Sequence, residues 1–137
     1  MDIALKDEEG PTSIADISRK EDISVAYLEQ LLNKLRRQGL VRSIRGPKGG
    51  YLLSRRPKDI TVRDVVKTLE GDISPVYCIT DNRVLKNICD KSKSCVTKVI
   101  WKKLARAIDA CLESTTLEDL RAEARRISRS DKKIASR

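Results

Sequence analysis

Apolar side chains recur every three or four residues along most of this chain, and in one stretch they gather instead into two short β-prone runs. Met1, Ile3, Ala4 and Leu5 read as the end of a helix that Glu9-Gly10-Pro11 breaks. Ile14 and Ile17 give a short helix its inward face, with Thr12-Ser13 offering the N-cap and Asp16 in the capping-box position. Ser24 caps a longer helix whose positions Val25, Leu28, Leu31, Leu32 and Leu35 form one stripe. Arg36 and Arg37 close its last turn, where cations suit the helix dipole, and Gly39 stops it. The β-prone runs Leu40–Arg45 and Tyr51–Arg55 flank Gly46-Pro47-Lys48-Gly49-Gly50 and predict a hairpin. Thr61, boxed with Asp64, opens a further helix with Val62, Val65, Val66 and Leu69 inward, and Gly71 ends it. After a loop from Asp72 to about Ser94, a stripe of Ile100, Trp101, Leu104, Ala105, Ile108, Cys111 and Leu112 marks one long helix. Thr116 and Asp119 then suggest a short final helix with Leu117 and Leu120.

Two capped helices joined by a few residues, the second longer, have the layout of a helix-turn-helix, and a hairpin directly after the second helix is a wing. The predicted fold is mainly α with a small β-hairpin wing: a winged helix-turn-helix followed by a long C-terminal helix. An apolar stripe carrying Trp101 on so short a chain needs a partner surface, so that helix is expected to pair with its copy in a homodimer. By this division residues 1–71 are a DNA-binding domain, 72–99 a cysteine-bearing loop, and 100–120 the dimerisation and final helices. Residues 121–137 form a basic tail expected to fray or be disordered.

Composition narrows the chemistry. At 137 residues the chain is one domain of ordinary size or a small domain with a helical arm, which excludes a large two-domain enzyme. With no histidine, no catalytic triad, His-ligated zinc or His-Cys dyad can be assembled, and no other paired nucleophile and base is visible. Four aromatics, Tyr27, Tyr51, Tyr77 and Trp101, are too few for a base-stacking RNA sheet. No run approaches the roughly 18 apolar residues of a membrane span, and the start lacks a signal-peptide layout. A cytoplasmic location is therefore expected, where Cys78, Cys89, Cys95 and Cys111 are thiols or metal ligands before they are disulfides.

Charge is unevenly placed. The excess is +9, and residues 33–67 alone hold eleven basic side chains against Asp59 and Asp64. Residues 1–32 are net acidic, with three basic and eight acidic side chains. A solvated helix mixes signs, whereas this basic run straddles a helix end and a glycine turn, which suits a polyanion. In a winged helix the early residues of the recognition helix reach base edges, here Ser24, Ala26, Tyr27, Glu29 and Gln30. Gln30 suits adenine and Glu29 the cytosine amino group, although Glu29 serves equally well as an acid balancing the helix dipole. Arg36, Arg37, Arg42, Lys48, Arg55 and Arg56 are expected on phosphates. Arg45, Gly46, Pro47, Lys48 and Gly49 put cations beside unhindered backbone at the wing tip, for a phosphate or the minor groove.

Ala15-Asp16-Ile17-Ser18, Ile23-Ser24-Val25-Ala26-Tyr27-Leu28-Glu29-Gln30-Leu31, Leu35-Arg36-Arg37-Gln38-Gly39-Leu40-Val41 and Arg45-Gly46-Pro47-Lys48-Gly49-Gly50-Tyr51-Leu52-Leu53 together resemble the Rrf family of bacterial winged-helix regulators. The resemblance runs from Met1 to about Leu120, and the wing motif is its most specific part. It implies a homodimer that sets two recognition helices on a partly palindromic site. The family's basic lead-in to the first helix is absent from this sequence, which leaves two readings: a start site assigned too late, or a shortened first helix.

Cluster-binding members of that family carry three cysteines where this chain has Cys78, Cys89 and Cys95, and the resemblance implies an Fe–S cluster on them. Three thiolates suit iron because soft sulfur ligands hold it. A fourth ligand cannot be histidine: Lys98 stands at the position where a His-ligated member has its ligand, which leaves an oxygen from Asp81, Asp90, the partner subunit or the absent lead-in. Cys111, about 24 Å along a continuous helix from Cys95, reads as core. Three alternatives stay open. One is a cluster-free regulator of cysteine metabolism controlled by a partner protein or thiol oxidation; another is zinc on the same cysteines. A third, of another class, is a small Fe–S redox carrier, which would use the cluster but not the wing or the basic patch.

Overall fold

The computed structural model describes residues 1–80, 84, 89 and 94–135, the last five by backbone alone. Its elements are α1 (Asp2–Leu5), α2 (Ile14–Glu21), α3 (Val25–Arg37), β1 (Val41–Ile44), β2 (Gly50–Leu53), α4 (Val62–Glu70), α5 (Lys98–Ser114) and α6 (Leu117–Ala135), with 3-10 turns at Pro57–Asp59 and Tyr77–Ile79. The mainly helical winged fold predicted from the sequence is what the chain adopts.

Local chemistry explains the boundaries. The Ser24 hydroxyl accepts from the Tyr27 N–H at 3.3 Å and starts α3, and Gly39, at φ +67°, ends it. Thr61 and Asp64 form the full capping box of α4, each side chain accepting from the other's backbone N–H at 3.1 Å. At α2 the box is incomplete: Ser13 accepts from the Ala15 N–H, while Asp16 pairs with Arg19 at 3.5 Å.

β1 and β2 are antiparallel, with Val41 opposite Leu53 and Ser43 opposite Tyr51. Thr12 adds a third, single-residue bridge, exchanging two 2.9 Å backbone hydrogen bonds with Tyr51. A Cβ on Gly50 would run into the Thr12 carbonyl, so the strand after the wing tip is held close to the start of the chain only because residue 50 is glycine.

Ala4, Leu32, Leu40, Val41, Leu53, Ile60 and Leu117 form the core, with Ile60 at 0% exposure in its middle. Each fully buried Leu or Ile contributes roughly 1.5–3 kcal/mol. Two backbone bonds, Val62 N–H to Thr115 at 2.8 Å and Leu117 N–H to Ile60 at 2.9 Å, tie the start of α4 to the turn between α5 and α6.

The C-terminal region corrects the sequence reading. The short final helix and fraying tail are instead one helix of 19 residues reaching Ala135. Acid–base pairs three residues apart, Glu118 with Arg121 at 3.2 Å and Glu123 with Arg126 at 2.6 Å, lace its surface. Arg121, 3% exposed, also reaches back to Glu8 at 2.7 Å and anchors the helix against the start of the chain. A basic run read as a fraying or disordered tail therefore contains a buried, paired arginine. The reading of Cys111 as core is also corrected: it is exposed, because none of the described residues covers that face of α5.

Candidate nucleic-acid interface and cysteine segment

The α3 stripe fixes which side chains can face a ligand. Leu28 and Leu32 are buried and Leu35 half-buried, which turns Ser24, Ala26, Tyr27, Glu29 and Gln30 outward, all exposed. Ala26 and Gln30 are one turn apart, and Arg37 continues the same side of the helix. Ser24 already spends its hydroxyl oxygen on the cap, so it positions the helix start.

Arg36, Arg37, Arg42, Arg45, Gly46, Pro47, Lys48 and Arg55 are exposed and Gly49 is half-buried. The wing turn is closed by the Gly49 N–H donating to Gly46 at 2.9 Å; Gly46 sits at φ +115°, and a Cβ on Gly49 would strike the Ile44 carbonyl. The glycines thus make a tight tip that presents Arg45 and Lys48 on either side of Pro47.

Folding sorts the eleven cations of residues 33–67. Lys34 donates to the Leu69 carbonyl at 3.2 Å and pins α3 to the last turn of α4. Arg56, expected on a phosphate, pairs with Asp59 at 2.7 Å, and Arg63 pairs with Asp109. Arg36, Arg37, Arg42, Arg45, Lys48 and Arg55 form no ion pair among the described residues. Six uncommitted cations at a helix end and on a hairpin, beside exposed polar residues on the helix's first two turns, are an arrangement suited to a phosphate backbone and the groove beside it.

The three cysteines lie apart in character. Cys78 is buried in the 3-10 turn Tyr77–Ile79, which packs against α5. Cys89 and Cys95 are half-buried. Cys95 sits just before α5, its sulfur 3.0 Å from the Thr97 hydroxyl. That hydrogen bond, with the Lys98 backbone N–H, holds the Cys95 thiol below the usual cysteine range. Among the described residues, no three of Cys, Asp and Glu converge closely enough to hold a metal ion, and all three cysteines are among them. The donor types suit an iron–sulfur group, but the arrangement does not form its ligand set. Asp81 and Asp90 lie outside the described residues.

The long helix α5 has two sides. Lys98, Ala105, Asp109 and Leu112 are half-buried, where α5 packs against α4 and the Cys78 turn. Ile100, Trp101 and Leu104, 58%, 36% and 41% exposed, leave an apolar face open along with Cys111. No helix among the described residues is long and apolar enough to cross a membrane.

The residues that the sequence did not disclose are those whose role is set by contacts remote in the chain: Lys34 on Leu69, Arg63 on Asp109 and Arg121 on Glu8. A partner 35 to 113 positions away carries no spacing signal. Burial of Arg121 had one faint indication, its place on the stripe with Leu117, Leu120 and Ala124.

Comparison with known proteins places this geometry in a family. Residues 1–123 match the Rrf2 model, described as an iron-dependent transcriptional regulator. The chain is similar to the HTH-type transcriptional regulator CymR of Bacillus subtilis, 42% identical over 120 residues that cover 88% of this chain and 79% of the relative. It is also similar to the HTH-type transcriptional regulator IscR of Xenorhabdus nematophila, 40% identical over 120 residues, 88% and 70% of the two chains. The structure of CymR, the global cysteine regulator of B. subtilis, superimposes with a TM-score of 0.71 at 41% identity, covering 89% of this chain and 86% of that one. The T. potens IscR structure gives 0.70 at 37% identity, covering 90% and 77%.

Proposed function

This chain belongs to the Rrf2 family of transcriptional regulators, and from that premise we propose that it works in the cytoplasm as a homodimer on double-stranded promoter DNA, taking its signal through the segment from Cys78 to Cys95. The observation that carries the DNA reading is the sorting of charge. Arg36, Arg37, Arg42, Arg45, Lys48 and Arg55, on the end of α3 and on the wing, are left without acidic partners among the described residues, beside the exposed polar start of α3. Ala26, Tyr27, Glu29 and Gln30 would meet base edges, with Gln30 suited to adenine. Arg36, Arg37, Arg42 and Arg55 would hold phosphates, and Arg45 and Lys48 would carry the wing tip to the backbone or the minor groove. A redox-carrier role would leave all of these groups without a use. The open apolar face of α5 is the surface a second copy would cover, bringing two recognition helices to one site.

For the signal, the donor types favour an Fe–S cluster on Cys78, Cys89 and Cys95 with a non-histidine fourth ligand. The three thiols would first have to be drawn together. A second reading, control by thiol chemistry or a protein partner without a cluster, is favoured by the arrangement itself: a buried Cys78 and a Cys95 already engaged by Thr97. Anaerobic purification with iron, sulfide and visible-absorption measurement separates the two. Stoichiometric iron and an absorption band, both lost in C89S, support the cluster; no iron and no band in a protein that still shifts promoter DNA decides for the thiol reading.

A further inference from the structure

Away from the DNA-facing surface, an open cleft of about 450 Å³ lies between α4, the connection that follows it and one side of α5. Its walls are Arg63 and Lys67, one turn apart on α4; Ile73; and Ala105, Arg106 and Asp109 on α5. The charges in it are not equivalent. Asp109 is already neutralised by Arg63. Asp72 keeps its charge, but its oxygens are turned to local donors: one accepts from the Ser74 N–H at 2.9 Å and from its hydroxyl, and the other accepts from the Thr80 hydroxyl. At the adjoining end of α4, the carbonyls of Lys67 and Leu69 accept from the Gly71 N–H and from Lys34, which blunts the negative end of that helix. Lys67 and Arg106 are left, both exposed and without an ion pair among the described residues.

We propose that this cleft binds a small organic or inorganic oxyanion, a molecule bearing a carboxylate or phosphate group, held by Arg106 and Lys67. A guanidinium presents paired N–H donors that match such a group, and an ammonium adds a mobile point charge. Ile73 and Ala105 offer a short apolar contact for the rest of the molecule. The cleft does not compete with the apolar face of α5: successive helix residues are about 100° apart, so Ala105 and Asp109 point away from Ile100, Leu104 and Cys111. An occupant would bridge α4 and α5 and touch the turn that Asp72 ties to Thr80, two residues after Cys78. Through Lys34 and Leu69 it would also sit one helix away from α3.

Isothermal titration of the full chain with inorganic phosphate and with succinate, at ionic strength fixed by sodium chloride, tests this directly. The expected result is saturable binding of at least one of the two at one site per chain, with a rise in melting temperature as the ligand is added. The double variant K67Q/R106Q should bind at least about tenfold more weakly. A105L, which narrows the cleft without changing charge, should weaken binding too, and K103Q, which removes an exposed cation elsewhere on α5, should leave it unchanged. Heats no different from the chloride control for both ligands, or equal weakening by K103Q and the double variant, would overturn the proposal, the latter by showing only a general charge effect.

Discussion

A basic side chain adds to DNA affinity only if folding leaves its charge uncommitted, and the cations of residues 33–67 divide on that criterion. Lys34 is spent on the carbonyl of Leu69 and Arg56 on Asp59, whereas Lys48 at the wing tip has no acidic partner among the described residues. Lys48→Ala is therefore expected to weaken binding by a similar factor on all DNA sequences and to lower the slope of log affinity against log salt by about one unit. A salt titration by fluorescence anisotropy reads both, and an unchanged slope would mean that Lys48 meets no phosphate. Glu8 makes a prediction of another kind. The hydrogen bond from Arg121, then the charges of Arg121 and Arg125, hold its carboxyl below the usual glutamate range. A group whose pKa is depressed by folding contributes stability that is complete above its unfolded pKa and lost as pH falls through the folded value. The melting temperature of the wild type should thus exceed that of Glu8→Gln near pH 6, with the gap narrowing as pH falls below the ordinary glutamate range. Exposure of Glu8 screens the pair and keeps the gap small; a gap that does not narrow at all on acidification would mean that the ion pair is not its source.

At the scale of elements, α5 carries the sharpest consequence. With Ile100, Trp101 and Leu104 open, this helix is the one to which the proposed second copy would add apolar burial. Leu104→Glu should shift the protein from dimer to monomer in analytical ultracentrifugation while leaving helix content in place. It should also cost at least about a hundredfold in operator affinity, because two linked half-site contacts become one. A variant that stays dimeric would place the interface elsewhere. The elements themselves were largely legible in the sequence, because their signals are local. Ser24 and the Thr61–Asp64 box act within one turn, and the glycine turn sits between two β-prone runs. The single-residue bridge of Thr12 to Tyr51 was not legible, since one residue has no periodicity. Nor was the length of α6. Its basic run suggested a fraying or disordered tail; what extends it are the pairs Glu118–Arg121 and Glu123–Arg126 and the docking of Arg121 on Glu8, partners 113 residues apart. At the cysteines, the sequence identified the donor types, while their separate surroundings became visible only with the backbone in place.

For the whole molecule, three parts share walls. The recognition helix α3 is pinned to α4 by Lys34, α4 is tied to the α5–α6 turn by the bonds of Val62 and Leu117, and α5 packs against the turn that holds Cys78. A signal at the cysteine segment thus has packed elements between it and the DNA-facing surface, and the paired α5 helices would set the spacing of the two recognition helices. Whether two copies together read duplex sequence through α3 and the wing, as proposed, is measured most directly by selection of bound duplexes from a randomised library. Enrichment of a site with dyad symmetry, its half-sites separated by about one helical turn or a multiple of it, and with an adenine preference that relaxes in Gln30→Ala, is the predicted result. Recovery of a library no different from its input, or of a site without dyad symmetry that Gln30→Ala leaves unchanged, would contradict the account.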